Sequence, residues 1–475
     1  MSSSASRSGV GRAGGGGEAV AGPAEARRAA ASGKKGSEPA LSASLVLLAM
    51  LPEPAPDGHD YRVLLLKRHE SSRTYTNAYV FPGGNVDPID GDTSAWPSSF
   101  FPSLAPFTAG GASPPSTTAS TSSSLSDADL QTVKLCALRE TFEESGVLLF
   151  EALPESEGAQ PDALVQAEKT WIDKNGLRKT ELREEVHKSG AKFVELFEKE
   201  LGAGVRPAVG RLTHWANWIT PLGLPRRFDT HFFISILPPS SSASSSHHSH
   251  HYPHSLLATS DGVETSIAEW LTPSEAIRRA LAHVAQLPSH LASIPSTTAQ
   301  YAPQPASMGD NPSDAIILHP PQFYLLAELA HNHKSYRSLL LADRSASANP
   351  STPPVVRPRA VRPFTPQIAH VVDSSGKKRG ATLLPGDEDF VPPSLDVGSA
   401  FVVRELGKGS ADGEGKGQGK MGGRHRTYVL PPGKGVQGLT VLGVHRKGMQ
   451  DELGVGWEDM QAGDVGENGS NRARL

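Results

Sequence analysis

A chain of 475 residues has the length for two or three domains, but 47 glycines, 39 prolines and long serine runs reduce this to one globular domain with insertions and tails. A formal net charge of −4 excludes a global basic field that would gather nucleic acid. The single cysteine, Cys136, excludes an intrachain disulfide framework and points to a reducing compartment.

No apolar run approaches the ~18 residues of a membrane span, so a soluble protein is expected. Residues 1–38, rich in Ser, Ala, Gly and Arg, share the composition of an organellar transit peptide. Their glycines oppose an amphipathic helix, and the segment is read as a disordered tail. The globular domain is placed at 39–345. "SASLVLLAM" (42–50) and "YRVLLLKR" (61–68) read as two strands joined by the turn-rich "PEPAPDG", a hairpin pattern. "AYVFPGGNVD" (78–87) reads as a third strand breaking into a Gly-Gly turn. Residues 97–125 are Pro/Ser/Thr-rich and read as a flexible excursion.

A helix is predicted over 126–146, with Ser126 as N-cap, Asp127 and Asp129 in the positive first turn and Gly146 as stop. "WANWITP" and "RFDTHFFISIL" (227–237) read as buried strands. Residues 238–258 form a second low-complexity insertion; the spacing of its His247, His248, His250, His251 and His254 fits no regular zinc motif. "ETSIAEWLTPSEAIRRALAH" (264–283) predicts a strand, a Thr-Pro start and an amphipathic helix. After a loop at 285–313, residues 320–332 predict another helix. The extension 346–475 reads as partly disordered, with short strands at "ATLLPGDEDF" and "RTYVLPP" and a flexible loop at 407–423. Its role is open between padding the fold and covering the active site.

The 126–146 helix carries the chemistry. At ~100° per residue, Glu140, Glu143 and Glu144 fall on one side and Leu135, Leu138 and Phe142 on the other. The helix is expected to dock by its apolar stripe and turn the acids toward an open cleft. Acidic faces are most often solvated surface, but here Arg139 is the one basic neighbour in sequence. "FPGG" (81–84) also offers backbone carbonyls to a bound cation. Clustered carboxylates plus a carbonyl suit a hard cation. Cys136 reads as a packing residue.

"RETFEESGV" (139–147) resembles the second half of the Nudix box, with Thr141 at a position that is usually bulky and apolar. "GNVDPID" resembles the first half, Gly84 to Asp90, with aspartate in place of glutamate. Between Asp90 and Arg139 lie 48 residues where the box has seven. That interruption resembles the peroxisomal acyl-CoA and coenzyme A diphosphatase subgroup of Nudix hydrolases. So do "VLLLKR", "HWANWITPLGLPRRFDTHFF", "EWLTPSEA" and "HPPQFYLLAEL", in order, over roughly residues 43–332.

The resemblance implies an α/β fold, an α/β/α sandwich around a mixed sheet, with the box forming loop–helix–loop. It implies hydrolysis of a nucleoside diphosphate derivative, with Mg²⁺ or Mn²⁺ held by Glu140, Glu143, Glu144 and the Gly84 carbonyl, and Arg139 orienting the glutamates. A diphosphate enters an acidic cleft only with intervening cations, which also activate the attacking water. The general base stays open between a box glutamate and Glu264. Arg226 and Arg227 either meet the 3′-phosphate of coenzyme A or pair with Asp229; Lys67 and Arg68 are further substrate-binding candidates. Trp215 and Trp218 stand between adenine stacking and the core, with core favoured. The expected substrate is acyl-CoA or coenzyme A, cut to adenosine 3′,5′-bisphosphate and (acyl-)4′-phosphopantetheine. NADH, ADP-ribose, capped RNA or a non-catalytic binding role are alternatives. Ala473-Arg474-Leu475 resembles a peroxisomal address, implying the import receptor as partner and the peroxisome as location, ahead of mitochondrion or cytoplasm.

Overall fold

The computed structural model describes residues 38–101, 125–237, 258–287, 314–340 and 355–390 apart from short gaps, and strands at 404–406, 424–430 and 440–447. The tail, the bulk of the three low-complexity insertions, the histidine run, the loop 407–423 and Ala473-Arg474-Leu475 lie outside the described residues.

Strand β1 (Ala40–Met50) sends Ala43, Leu45, Leu47 and Ala49 to one side and Val46 and Leu48 to the other, and all six are buried. A strand apolar on both faces needs cover on both. It pairs antiparallel with β2 (Tyr61–Arg68), giving the expected hairpin, and parallel with β8 (Phe228–Leu237) along nearly its whole length. Outward from β2 lie β3 (Ala78–Val80) and β10 (Ile317–Leu318). Beyond β8 come β7 (Thr213–Ile219) and β11 (Pro363–Phe364), while β9 (Thr265–Leu271) joins β2. The sheet is mixed, as the sequence implied.

The Gly-Gly turn is corrected. Gly83–Asn85 is a short strand, β4, lying on β1 with Gly83 opposite Ser44 and Gly84 opposite Ala43. A Cβ on Gly83 would collide with the backbone of Ala43 and Ser44, so the tight approach selects glycine here.

One face of the sheet is covered by the carboxylate helix, α2 (Asp127–Ser145), which follows a single turn, α1 (Pro88–Gly91). Ser126 caps α2 by accepting from Asp129 N at 3.1 Å, and Gly146 ends it in the left-handed region at φ 69°. The opposite face is covered by α6 (Pro273–Ala285), capped by Thr272 with Pro273 at its first turn, and α7 (Pro320–Asn332). The fold is therefore an α/β/α sandwich. Among the described residues no helix is long and apolar enough to cross a membrane.

Three helices had no counterpart in the sequence reading: α3 (Ala163–Thr170), α4 (Lys179–Lys188) and α5 (Ala191–Glu195), which runs on through Leu196–Glu200. They follow the strand β5 (Phe150–Ala152) and lead into β6 (Val205–Pro207), its antiparallel partner. Their aromatics enclose the outer side of α2: Phe142 lies 5.9 Å from Trp171 and 6.2 Å from Phe193, ring centre to ring centre. Trp96 and Phe100 join this cluster against Phe193 and Phe197. The excursion placed at 97–125 thus begins later than expected, because Phe100 is a core residue.

Past residue 363 the chain builds a second sheet, ordered β14-β12-β13-β15-β16. Its strands are β12 (Gln367–Val372), β13 (Lys378–Leu383), β14 (Arg404–Leu406), β15 (Arg424–Leu430) and β16 (Thr440–Lys447). Leu384, Val429 and Val441 pack into the α6–α7 layer, so this extension pads the side of the sandwich opposite the acids. Arg359 ties it down, stacking 4.0 Å from the Trp215 ring centre and bonding Glu328 at 2.6 Å. Trp215 and Trp218 are buried, Trp218 against Tyr324, so both belong to the core.

Candidate active site

Helix α2 presents Arg139, Glu140, Glu143 and Glu144 to one place, but the surroundings differ from an open cleft with one cation. Glu143 and Glu144 are buried, and α4 walls the site on the side the sequence left open. Thr141, which departs from the apolar position of the box, is also buried. Its hydroxyl donates back to Ala137 O at 2.6 Å, so the helix satisfies the polar group internally.

Arg139 is the organising residue. Its Nε and Nη2 grip both oxygens of Asp90 at 2.9 and 2.8 Å. Its Nη1 donates to Glu140 at 3.0 Å and Glu143 at 2.7 Å, and Nη2 also reaches Asn85 O at 3.1 Å. All five N–H groups are thereby used. Burial alone would lower the guanidinium pKa, but Asp90 and Glu140 hold it above the ordinary value. The short side chain at Asp90 suffices because α1 lifts it into place. Asp90 also accepts from Asp87 N at 2.9 Å, closing a capping box with Asp87. The two halves of the interrupted box are joined through Arg139, by this bidentate pair and by its bond to Asn85 O.

Glu144 has both oxygens engaged, Oε1 by Arg68 Nη1 at 3.3 Å and Oε2 by Gly83 N at 3.0 Å. The same Arg68 nitrogen bonds Glu264 Oε2 at 3.1 Å. Arg68, placed by the sequence among substrate-binding residues, therefore bridges two acids of the site. Lys67, one residue earlier, does not line the cavity. Glu264 is held by an Asx-type loop: Asp261 Oδ1 accepts from the amides of Val263, Glu264 and Thr265 at 3.0, 3.1 and 2.8 Å. Asp261 thus does the strand-end capping, leaving the Glu264 carboxylate to face the site.

Gly84 makes room for Glu140, since a Cβ there would sit 2.5 Å from Glu140 Oε2. Its carbonyl takes the buried Cys136 thiol at 3.6 Å, and Gly84 does not line the cavity. Substituting Gly84→Ala is expected to cost about 1–3 kcal/mol through this overlap, measured by urea denaturation. Arg226 and Arg227 stand at the end of the sheet that carries β4. Phe228 pairs with Ala40, two residues before Ser42, which faces Asn85. Arg227 Nε closes the β7–β8 turn on Thr220 O at 3.1 Å. Neither arginine lines the cavity.

That cavity measures about 240 Å³. Glu140, Glu143, Glu144, Asp87, Asp261 and Glu264 line it, against Arg139 and His187. Burial, reinforced by Glu143 against the pull of Arg139, pushes the Glu140 carboxyl up to about 7 from 4.5. Burial and Glu140 push Glu144 well above the carboxylate range. A raised folded-state pKa means Glu140 contributes stability in acid that is lost as pH rises from about 4.5 through about 7. Thermal unfolding of wild type and Glu140→Gln is therefore expected to show the wild type falling relative to the variant across that window. The all-oxygen donor set matches a hard divalent cation by chemistry. In the arrangement seen, Arg139, Arg68, His187 and the Gly83 amide bond oxygens of the trio, and among the described residues no three acidic, histidine or cysteine side chains converge as ligands.

The sequence pattern missed Arg68 as a partner of Glu144, and it missed α4 with its Arg183 and His187. Arg183 is buried and donates to Glu143 O at 3.0 Å, satisfying a carbonyl in the last turn of α2. The run "TELREEVHKSGAKFVELFEKEL" has helical spacing that would have located α4 and α5, though not their contacts.

The chain is 32% identical over 285 residues to the acyl-coenzyme A diphosphatase NUDT19 of Xenopus laevis, covering 57% of this chain and 60% of that protein. It is 30% identical over 254 residues to the Homo sapiens protein of the same name, covering 50% and 60%. It spans about 60% of the length of these curated relatives. A crystal structure of a NUDIX hydrolase from Alicyclobacillus acidocaldarius aligns at 18% identity and a TM-score of 0.35, covering 62% of this chain and 92% of that one. The model of the NUDT19 Nudix domain matches residues 40–288, which include both halves of the box, β4, α2 and the Glu264 loop. The chain belongs to the NUDT19 Nudix-domain family.

Proposed function

We propose that this chain is a divalent-metal-dependent hydrolase that cleaves the diphosphate of acyl-CoA or coenzyme A to adenosine 3′,5′-bisphosphate and (acyl-)4′-phosphopantetheine. The observation that carries the proposal is the Glu140–Glu143–Glu144 trio, the first two held by Arg139 and the third by Arg68, in a cavity whose lining is mostly acidic. Such a lining repels a diphosphate unless cations intervene. The names of the relatives support acyl-CoA as the substrate class.

In this reading Glu140, Glu143 and Glu144 hold Mg²⁺ or Mn²⁺; the Gly84 carbonyl adds a ligand only by turning from the Cys136 thiol toward the cavity. When bound, the ion polarises phosphoryl oxygens and acidifies a water. Arg139 keeps the glutamates oriented from behind. Arg68 links Glu144 to Glu264, and these two acids are the candidates for taking the proton of the attacking water. Arg226 and Arg227, at the β4 end of the sheet, are proposed to meet the 3′-phosphate of coenzyme A.

Incubating the purified chain with Mg²⁺ or Mn²⁺ and coenzyme A, acyl-CoA, NADH, ADP-ribose or capped RNA, then separating products, tests this. Adenosine 3′,5′-bisphosphate from the first two is the expected result. Cleavage of NADH, ADP-ribose or capped RNA with coenzyme A and its thioesters intact would refute the substrate. Binding without turnover of any compound would identify a non-catalytic module. Peroxisomal import is proposed from Ala473-Arg474-Leu475. A fluorescent fusion ending in this tripeptide should enter peroxisomes and should stay out once Leu475 is removed.

A further inference from the structure

The box motif describes α2 but says nothing about the helix that closes the site from outside. Helix α4 is pinned at two points. Toward its middle, Arg183 donates to Glu143 O at 3.0 Å and to Thr259 Oγ1 at 3.0 Å. Just past its end, Gly190 lies so close to α1 that a Cβ there would sit 2.6 Å from Ile89. Beside and between these anchors, Leu182 and Val186 are buried. The helix therefore has a fixed height and rotation over the acids. His187 is the residue it delivers into the cavity, half exposed, with Nδ1 3.3 Å from Glu143 Oε2.

The other oxygen of Glu143 is held by Arg139 at 2.7 Å. A carboxylate gripped on one oxygen alone still turns about its terminal torsion, which is broad. A second contact on the opposite oxygen fixes the plane. We infer that His187 is a positioning residue: with Arg139 it clamps the Glu143 carboxylate between two elements, α2 and α4, in the orientation that cation binding uses. The inference rests on the proposed metal-dependent reading. It makes α4, which lies outside the box, a working part of the site.

The test uses the whole chain and Mn²⁺ alone as probe, titrated by electron paramagnetic resonance, beside steady-state kinetics with coenzyme A. His187→Ala is expected to weaken Mn²⁺ binding about 10-fold or more, as loss of an outer partner of a ligand does. The same variant should lower kcat while leaving KM for coenzyme A nearly unchanged. His187→Asn, whose side-chain amide places a donor near the Nδ1 position, should recover most of the lost affinity. Circular dichroism should show all three proteins folded, since His187 is half exposed and its removal opens no core cavity. Unchanged Mn²⁺ affinity in His187→Ala, or an Asn variant no better than Ala, overturns the positioning role alone. A wild type that binds no Mn²⁺ overturns the metal-dependent reading and this inference with it.

Discussion

Arg139→Ala is expected to lower folding stability by about 3–5 kcal/mol, read from the urea midpoint at neutral pH, and to abolish turnover. The side chain is buried and serves Asp90, Glu140, Glu143 and Asn85 O at once. Removing it strands buried carboxylates beside one another with their main counter-charge gone. It also cuts the bond between the two separated halves of the box. Lysine is no remedy, because one ammonium does not reproduce a two-pronged grip on Asp90 while reaching the glutamates. Asp90→Asn should cost less, since Arg139 then keeps Glu140 and Glu143, and the amide still offers an acceptor to Asp87 N. A loss for Arg139→Ala below about 1 kcal/mol would mean that the network carries little of the fold's stability.

Glu144→Gln should leave the fold intact and reduce kcat by about 10²–10⁴-fold, the range associated with losing a positioned acid–base or metal-linked carboxylate. Glutamine keeps the shape and one acceptor, so it retains the bond from Gly83 N or from Arg68 while its NH2 replaces the other oxygen, and the packing volume is preserved. Burial already pushes the Glu144 carboxyl well above the usual range, so a neutral isostere relieves a cost in the cation-free protein. The variant should therefore unfold at the same or a higher temperature than wild type while being far slower. Glu264→Gln separates the two candidate bases. If it matches Glu144→Gln in kcat with Mn²⁺ affinity unchanged, Glu264 takes the proton. An active Glu144→Gln enzyme would exclude that residue from the chemistry.

Local patterns made much of this legible. Ser126, Gly146, Thr272 and Pro273 mark helix ends through chemistry confined to a few neighbouring residues, and those ends lie where the pattern put them. The three glutamates were visible because their spacing on α2 is a property of one helix. The hairpin β1–β2 follows from two apolar runs around a turn-rich link. What escaped is long-range. Arg68 meets Glu144 across 76 positions, and nothing near Arg68 in the chain encodes that partner. Asp90 looked like a weakened glutamate because its compensation, the α1 turn and its capping box, is a matter of backbone geometry. Gly83 and Gly84 signal a turn by residue type, yet here glycine serves close contact with β1 and room for Glu140. Phe100 read as loop because its company was rich in Pro and Ser, while Phe197, which anchors it to the core, lies about a hundred residues away.

The placement of the second sheet bears on how the protein tolerates truncation. Leu384, Val429 and Val441 rest on the α6–α7 layer, with the whole thickness of the main sheet between them and the acids. A chain cut after residue 345 would keep every carboxylate of the cavity but uncover part of that apolar layer and remove Arg359 from Glu328. Its defect would be self-association, not slow chemistry.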